Sequence, residues 1–362
     1  MIPLDCVVVG AGIHGLCTAF WLRRRGLRRI VVVERHGPAH SFGSSHGSTR
    51  ITRSSYHEPS FVRLAERANA EAWPAIERAI GRVLRVATPG VFFGPEDGPF
   101  GDYLRATLGT STSVEQVATD LARNRFPLLR FEPGDSVMID HSAAMLLAAE
   151  TMQGLRDWLQ AQGVELRWNT VATHIDAQQG HVDVALAATT LRARTAVLAA
   201  GPWLSTLMET PPEPLVVLRQ TVGFFDVDAP EEDCIAGVFP VWARIGRGSD
   251  DFHYGLPSNA GTGLKAAVHR TRGIASDPDA APPPVDEGAL MAVARQRFAV
   301  PVRGLRAAEH CIYTMTRSQD FHVGRQPTSP NLITIAACSG HGFKFGPIVG
   351  DMAADLATTP GP

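Results

Sequence analysis

Hydrophobic and polar positions change rhythm several times along the chain. The β-branched run Val7 to Val9 predicts a buried strand, and Ile30 to Val33 predicts a second one ending at Glu34. Between them Leu16, Ala19, Phe20 and Leu22 recur at helical spacing, and Gly26 stops the pattern. A long helical rhythm follows from Pro59 to Ile80, on Phe61, Leu64, Ala65, Ala68, Ala72 and Ile76. Residues 82–138 read as strand-like pieces and turns. Ser142 is placed to cap a helix that runs through Leu159 and breaks at Gly163. Strand-like text continues to Ala200, and residues 215–270 alternate as antiparallel strands do. "SDPDAAPPPVDEG" is a proline-rich surface connection. The chain ends in a strand from Leu332 to Ala337, a glycine loop, and a helix from about Ile348 to Leu356. No internal repeat interrupts this order.

The first strand, helix and second strand enclose "GAGIHG". Gly10, Gly12 and Gly15 form GxGxxG, which serves a tight turn, a close pyrophosphate approach and helix–strand packing in that order. The helix N-terminus offers free N–H groups to phosphates, and Glu34 is spaced to take ribose hydroxyls. Strand, glycines, helix, strand and acid together predict dinucleotide binding. The motif alone leaves NAD and FAD open. Its place at the start of the chain favours FAD, as does "TAVLAAGPW", a strand running into a second small-residue turn at Ala199, Ala200 and Gly201.

The fold expected is α/β (α+β): a Rossmann-like FAD-binding domain with an inserted, mostly antiparallel β substrate domain. The first takes residues 1–82, 139–214 and 305–362, and the second 83–138 and 215–304. Active sites favour such interfaces.

Composition narrows the function. A net charge of −2 argues against nucleic acid or an anionic membrane as partner. No apolar run is long enough to span a bilayer, and no leader pattern precedes the glycine motif, so a cytoplasmic location is expected. Cys6, Cys17, Cys234, Cys311 and Cys338 are scattered without a CxxC pair, so neither a disulfide framework nor a metal site is expected. Of 34 Lys and Arg residues, only Lys265 and Lys344 are lysine. A chain that uses arginine elsewhere keeps lysine where a compact ammonium is needed, which places both in an active site. Arg50, Arg53 and His269, taken alone, read as ordinary surface or core residues. In an extended "TRITR", Arg50 and Thr52 share one face and Arg53 takes the other.

"GSSHGSTRITR", "YGLPSNAGTGLKAAVH", "CIYTMT" and "SGHGFKF" together resemble the monomeric sarcosine oxidase and N-methyltryptophan oxidase family of D-amino-acid-oxidase-like flavoproteins. The resemblance runs from Asp5 to the last helix. It implies oxidation of a secondary amine in an N-methyl or cyclic amino acid, with hydride transfer to flavin N5. The imine is then hydrolysed, and O₂ is reduced to H₂O₂. It also implies a monomer, and FAD attached by a thioether to Cys311. Arg53 and Lys344 would clamp the substrate carboxylate. Arg50 and Lys265 would serve the other flavin face, with Lys265 activating O₂. His269 would position substrate, and Tyr254 and Tyr313 would line its pocket. His46 and Thr49 would run beside the flavin, and the loop at Gly340 and Gly342 would lead into a helix whose dipole faces it. Arg35, Ser44, Ser45, Val171, Trp203 and Phe343 complete the implied cofactor set, with Gly10, Gly12, Gly15, Glu34, Ala200 and Gly201. Ala243 and Leu256 would open the pocket beyond the smallest substrate. Arg244 reads as a solvent-facing strand arginine, the alternative being a partner for a second acidic group. An amine dehydrogenase with another acceptor, an oxidase of a specialised biosynthetic cyclic imino acid, and a non-catalytic flavin or NAD binder remain alternatives.

Overall fold

A computed structural model describes residues 3–208, 211–248, 250–273, 275–336 and 338–359. Among these residues there are three sheets. The first is eight-stranded, with a parallel centre of Leu4–Val9, Ile30–Val33, Glu165–Arg167 and Thr190–Leu198. Its Val and Ile side chains are buried on both faces, as expected of a parallel sheet. Thr190–Leu198 forks the sheet. Its early residues pair with the hairpin strand His181–Leu186, and its late residues pair with Ser329–Ala336. Helices Ile13–Arg24 and Gly346–Thr358 pack on this sheet and against each other, so the first and last helices meet beside the glycine motif.

The second sheet is also eight-stranded, in the order Val302–Met315, Val216–Val227, Leu264–Val268, Phe252–Leu256, Val241–Ile245, Gly90–Pro95, Asp135–Asp140 and Val114–Val117. Every pairing is antiparallel except that of Val241–Ile245 with Gly90–Pro95. The third sheet is a small one of Thr49–Thr52, Ala144–Leu147 and Arg85–Ala87.

Four local expectations need correction. The rhythm from Pro59 to Ile80 is two α-helices, Pro59–Arg67 and Trp73–Ile80, joined by a π turn at Ala68–Ala72. Pro74 cannot donate the usual backbone bond, and the wider turn accommodates it. Ser142 caps no helix; its hydroxyl bonds Asp140 at 2.5 Å, and the strand Ala144–Leu147 precedes the helix Ala148–Ala161. Residues 82–138 contain two helices as well as strands, Pro99–Leu108 and Thr119–Arg125. Arg244 is buried, not solvent-facing, and is bound to Glu132, Asp135 and Asp251 at 2.6–3.2 Å. Both faces of its strand are covered, so alternation did not reveal which side met water.

Gly163 has φ +78° and ends its helix as expected. The last strand runs Ser329–Ala336; Ala337 lies outside the described residues. The proline-rich connection is tied down by Asp279, which accepts from Trp203 Nε1 at 2.9 Å and pairs with Arg35 at 3.2 Å. Among the described residues no helix is long and apolar enough to cross a membrane, and no His, Cys, Asp or Glu group could hold a metal.

Candidate active site

One elongated cavity of about 430 Å³ runs from the glycine motif to the second sheet. At its first end Gly10 takes φ +105°, and a Cβ there would lie 2.4 Å from the Ala199 carbonyl oxygen. The two small-residue turns therefore touch, which only glycine permits. Gly15 does not line the cavity. A Cβ at Gly15 would fall 1.8 Å from Gly10 O, so its hydrogen side chain brings helix and turn together. Glu34 is buried at the end of the second strand and accepts from Ala11 N–H at 2.8 Å and His36 N–H at 3.0 Å. Ser45 Oγ accepts from Ile13 N–H at 3.0 Å, fixing the loop over the helix N-terminus.

That loop also grips the strand carrying Cys311. Ser44 Oγ donates to Ile312 O at 2.6 Å, and a ring nitrogen of His46 lies 2.7 Å from His310 O. Cys311 is thus bracketed on both sides. Burial raises its thiol pKa, while Arg50 and Lys265 pull the other way. Arg50 donates to the carbonyls of Ser44, His46 and Thr49, and its guanidinium lies 5.5 Å from the Phe343 ring centre.

At the far end Arg53 turns elsewhere. Its guanidinium sits 4.5, 5.0 and 5.3 Å from the rings of Tyr56, Phe92 and Tyr103. Lys344 Nζ donates to Tyr56 Oη at 3.1 Å, and its backbone carbonyl takes the Trp73 indole N–H at 2.8 Å. Arg53 is 7% exposed, Lys344 9% and Lys265 4%, and among the described residues none of the three has an ion-pair partner. Burial, with Arg53 nearby, holds Lys344 well below the usual lysine range. Burial, then Arg50, brings Lys265 down to about 8. His269 is brought to about 3 by burial, then by Arg53 and Lys344, so it is neutral at physiological pH. Its Nδ1 lies 3.2 Å from Tyr313 Oη. Gly340, at φ +75°, lets the loop pass between these two rings; a Cβ there would be 2.5 Å from Tyr313 and 2.8 Å from His269. Burial raises the phenol pKa of both Tyr254 and Tyr313.

Of the residues singled out in the sequence, the cavity is lined by Gly10, Gly12, Glu34, Arg35, Ser44, Ser45, His46, Thr49, Arg50, Arg53, Val171, Ala200, Gly201, Trp203, Tyr254, Lys265, His269, Cys311, Tyr313, Gly340, Gly342, Phe343 and Lys344. Of the expected catalytic and cofactor residues, Gly15 alone stays behind the wall. Sequence reasoning missed Tyr56, Phe92, Tyr103, Phe252 and His341, which line the same space. Tyr56 and His341 lie within three residues of Arg53 and Lys344, which was the available signal. The others look like ordinary strand or helix aromatics.

The donor set fits a flavin dinucleotide: a glycine turn that a Cβ would fill, helix-terminal amides, a buried acid after the second strand, and fixed cations at the far end. The sequence profile described as FAD dependent oxidoreductase matches residues 5–356. The chain belongs to that family, and its cofactor is FAD. Within the family it groups with the monomeric sarcosine oxidases. It is 32% identical to monomeric sarcosine oxidase of Streptomyces avermitilis, covering 98% of this chain and 94% of that one. It is 26% identical to N-methyl-L-tryptophan oxidase of Salmonella agona, over 98% and 94% of the two chains. The solved structure of NikD, an unusual amino acid oxidase essential for nikkomycin biosynthesis, has the same fold, with TM-score 0.84, 23% identity and coverage of 99% and 94%.

Proposed function

We propose that this oxidoreductase oxidises the secondary amine of an N-methyl or cyclic amino acid, as a monomer, with O₂ as acceptor. The imine product hydrolyses in water, and O₂ leaves as H₂O₂. The observation that carries this reading is the pair Arg53 and Lys344, two buried cations without a counter-anion among the described residues, facing one aromatic pocket. Buried charge of one sign demands an anion, and a carboxylate suits a guanidinium fork beside an ammonium. Bound FAD supplies the two-electron acceptor for the substrate's C–N bond.

Residues 1–82, 139–214 and 305–362 would form the FAD-binding domain and 83–138 and 215–304 the substrate domain, with Arg53 and Lys344 reaching the substrate from the first. Gly10, Gly12 and Glu34 would take its dinucleotide end, and Cys311 would hold the flavin by a thioether. Arg53 and Lys344 bind and orient the carboxylate, which fixes the amine beside His269 and Tyr313. His269 stays neutral there, so it neither repels an ammonium nor competes for the carboxylate. Lys265, on the separate cationic side with Arg50, gives the positive field that O₂ needs as it gains charge.

The test is an anaerobic screen of flavin reduction over N-methyl and cyclic amino acids. Reduction by at least one, with the flavin remaining on the protein after acid precipitation, supports both parts. No reduction across the panel overturns amine oxidation; flavin released by acid overturns the thioether.

A further inference from the structure

Among the described residues two carboxylates line the cavity, Glu34 and Glu309. Glu34 is committed to two backbone amides. Glu309 is half-buried, and among the described residues its side chain has no hydrogen bond or ion pair. Its Oε2 and Arg50 Nη1 each lie 3.1 Å from the point where Gly47, at φ +89°, would carry a Cβ. The glycine leaves that point open between the two charges.

Glu309 stands two residues before Cys311 on the strand Val302–Met315. Such residues share a sheet face and lie about 6.7 Å apart along the strand. The register carries this face across the sheet. Val222, opposite Glu309, lines the cavity, and Phe224, two residues further on, pairs with Lys265. Lys265 therefore projects on the side of Glu309 and Cys311. His310 takes the other face, where its Nδ1 lies 3.0 Å from the Thr221 hydroxyl.

A bond from Cys311 Sγ to carbon needs an acceptor for the thiol proton, because burial disfavours the thiolate. The other titratable groups around this stretch are engaged. The ring nitrogens of His46 lie 2.9 Å from Gly43 O and 2.7 Å from His310 O. Tyr254 and Tyr313 are held protonated by burial, and His269 is bound to Tyr313. Arg50 and Lys265 are cations. Glu309 is the remaining acceptor.

We propose that Glu309 is the base for attachment of the flavin to Cys311. This rests on the thioether reading. Sγ bonds to the carbon of the flavin 8-methyl group; the thiol gives its proton to the Glu309 carboxylate, and the methyl carbon gives up one hydrogen as a proton. The two electrons released enter the flavin, and O₂ takes them away with the two protons as H₂O₂. Proton transfer moves one negative charge from Glu309 to sulfur beside the same two cations, Arg50 and Lys265, and creates no new charge.

A role limited to charge balance has the opposite sign. Removing the Glu309 charge would favour the thiolate and quicken attachment, whereas removing a base slows it. The test purifies wild type, Glu309→Gln and Glu309→Asp with their FAD and follows, in air, the flavin that stays on the protein after acid precipitation. Attachment in Glu309→Gln should be at least about a hundredfold slower than in wild type, the scale of a lost general base. Glu309→Asp should recover part of the rate, and total FAD should match wild type in both. Attachment in Glu309→Gln as fast as wild type, or faster, overturns the proposal. So does a folded Glu309→Gln without FAD, since the residue then holds the cofactor. Where Glu309→Gln does not fold, Glu309→Ala is read with and without formate: faster attachment with formate supports the base, and no effect overturns it. Flavin released from the wild type by acid removes the thioether itself, and the anaerobic amine screen reads amine oxidation separately.

Discussion

Lys344 and Lys265 are the residues on which the chemistry turns, and both are held away from their ordinary titration. Lys344 is buried beside Arg53, so it gives up its proton more readily than a surface lysine. An incoming carboxylate stabilises the charged form, so binding weakens as pH rises through the titration of Lys344, which a Kd measured against pH should show. Lys344→Met should cost about 2–5 kcal/mol of carboxylate affinity by leaving Arg53 alone with the anion; an unchanged Kd would remove Lys344 from the clamp. Lys265 is cationic below about 8 and loses its charge above it. If it serves O₂, the bimolecular rate of flavin reoxidation falls as pH rises through that value. Lys265→Met should be slow and flat over the same range while anaerobic reduction is largely retained. A wild-type rate that rises with pH contradicts the assignment.

Among the elements, the segment after Thr49–Thr52 depends most on a distant partner. Asp140 is fully buried at the end of the strand Asp135–Asp140. Its carboxylate accepts from Ser54 N–H, Ser55 N–H and Ser55 Oγ–H, and from Ser142 N–H and Oγ–H, at 2.5–3.0 Å. It thereby sets the turn that follows Arg53. Asp140→Ala should lower the unfolding free energy by about 3 kcal/mol or more in urea titration, because several buried donors lose their acceptor. A change under about 0.5 kcal/mol, the range of an ordinary surface site, would show that the turn holds itself. The glycine motif is stricter. Gly15→Val should prevent recovery of folded, flavin-loaded protein, since the side chain would occupy the position of Gly10 O.

Legibility followed the range of each constraint. Gly10, Gly12, Gly15 and Glu34 could be read directly because their tasks are solved within one strand–helix–strand unit. The lysines were legible through the chain's own arginine habit. Asp140 was not, because its five donors come from segments 86 residues upstream and two residues downstream. Arg244 was misread for a related reason: alternation says which residues share a face, and only the tertiary fold says that helix Glu287–Arg297 and the 132–135 turn cover that face. Phe92, Tyr103 and Phe252 carry no local mark that separates a cavity wall from a core.

At the scale of the whole molecule, the cavity is shared between the parallel sheet and the antiparallel one. The glycine turn and the loop at 340–344 come from the first part of the architecture. Cys311, Lys265, Tyr254 and Ala243 come from the second sheet. The thioether proposed at Cys311 would therefore tie the cofactor across both. Cys311→Ser should yield protein whose flavin is lost on gel filtration in denaturant, and flavin that stays attached would place the link elsewhere. The most direct measurement pairs an N-methyl amino acid with the same amine lacking its carboxylate, each mixed anaerobically with flavin-loaded protein in a stopped-flow spectrometer. The amino acid should bleach the flavin, and the carboxylate-free amine should be slower by at least about thirtyfold, as the loss of a buried charge pair implies. Equal rates for the two, or no bleaching by any amino acid, would contradict the proposed function.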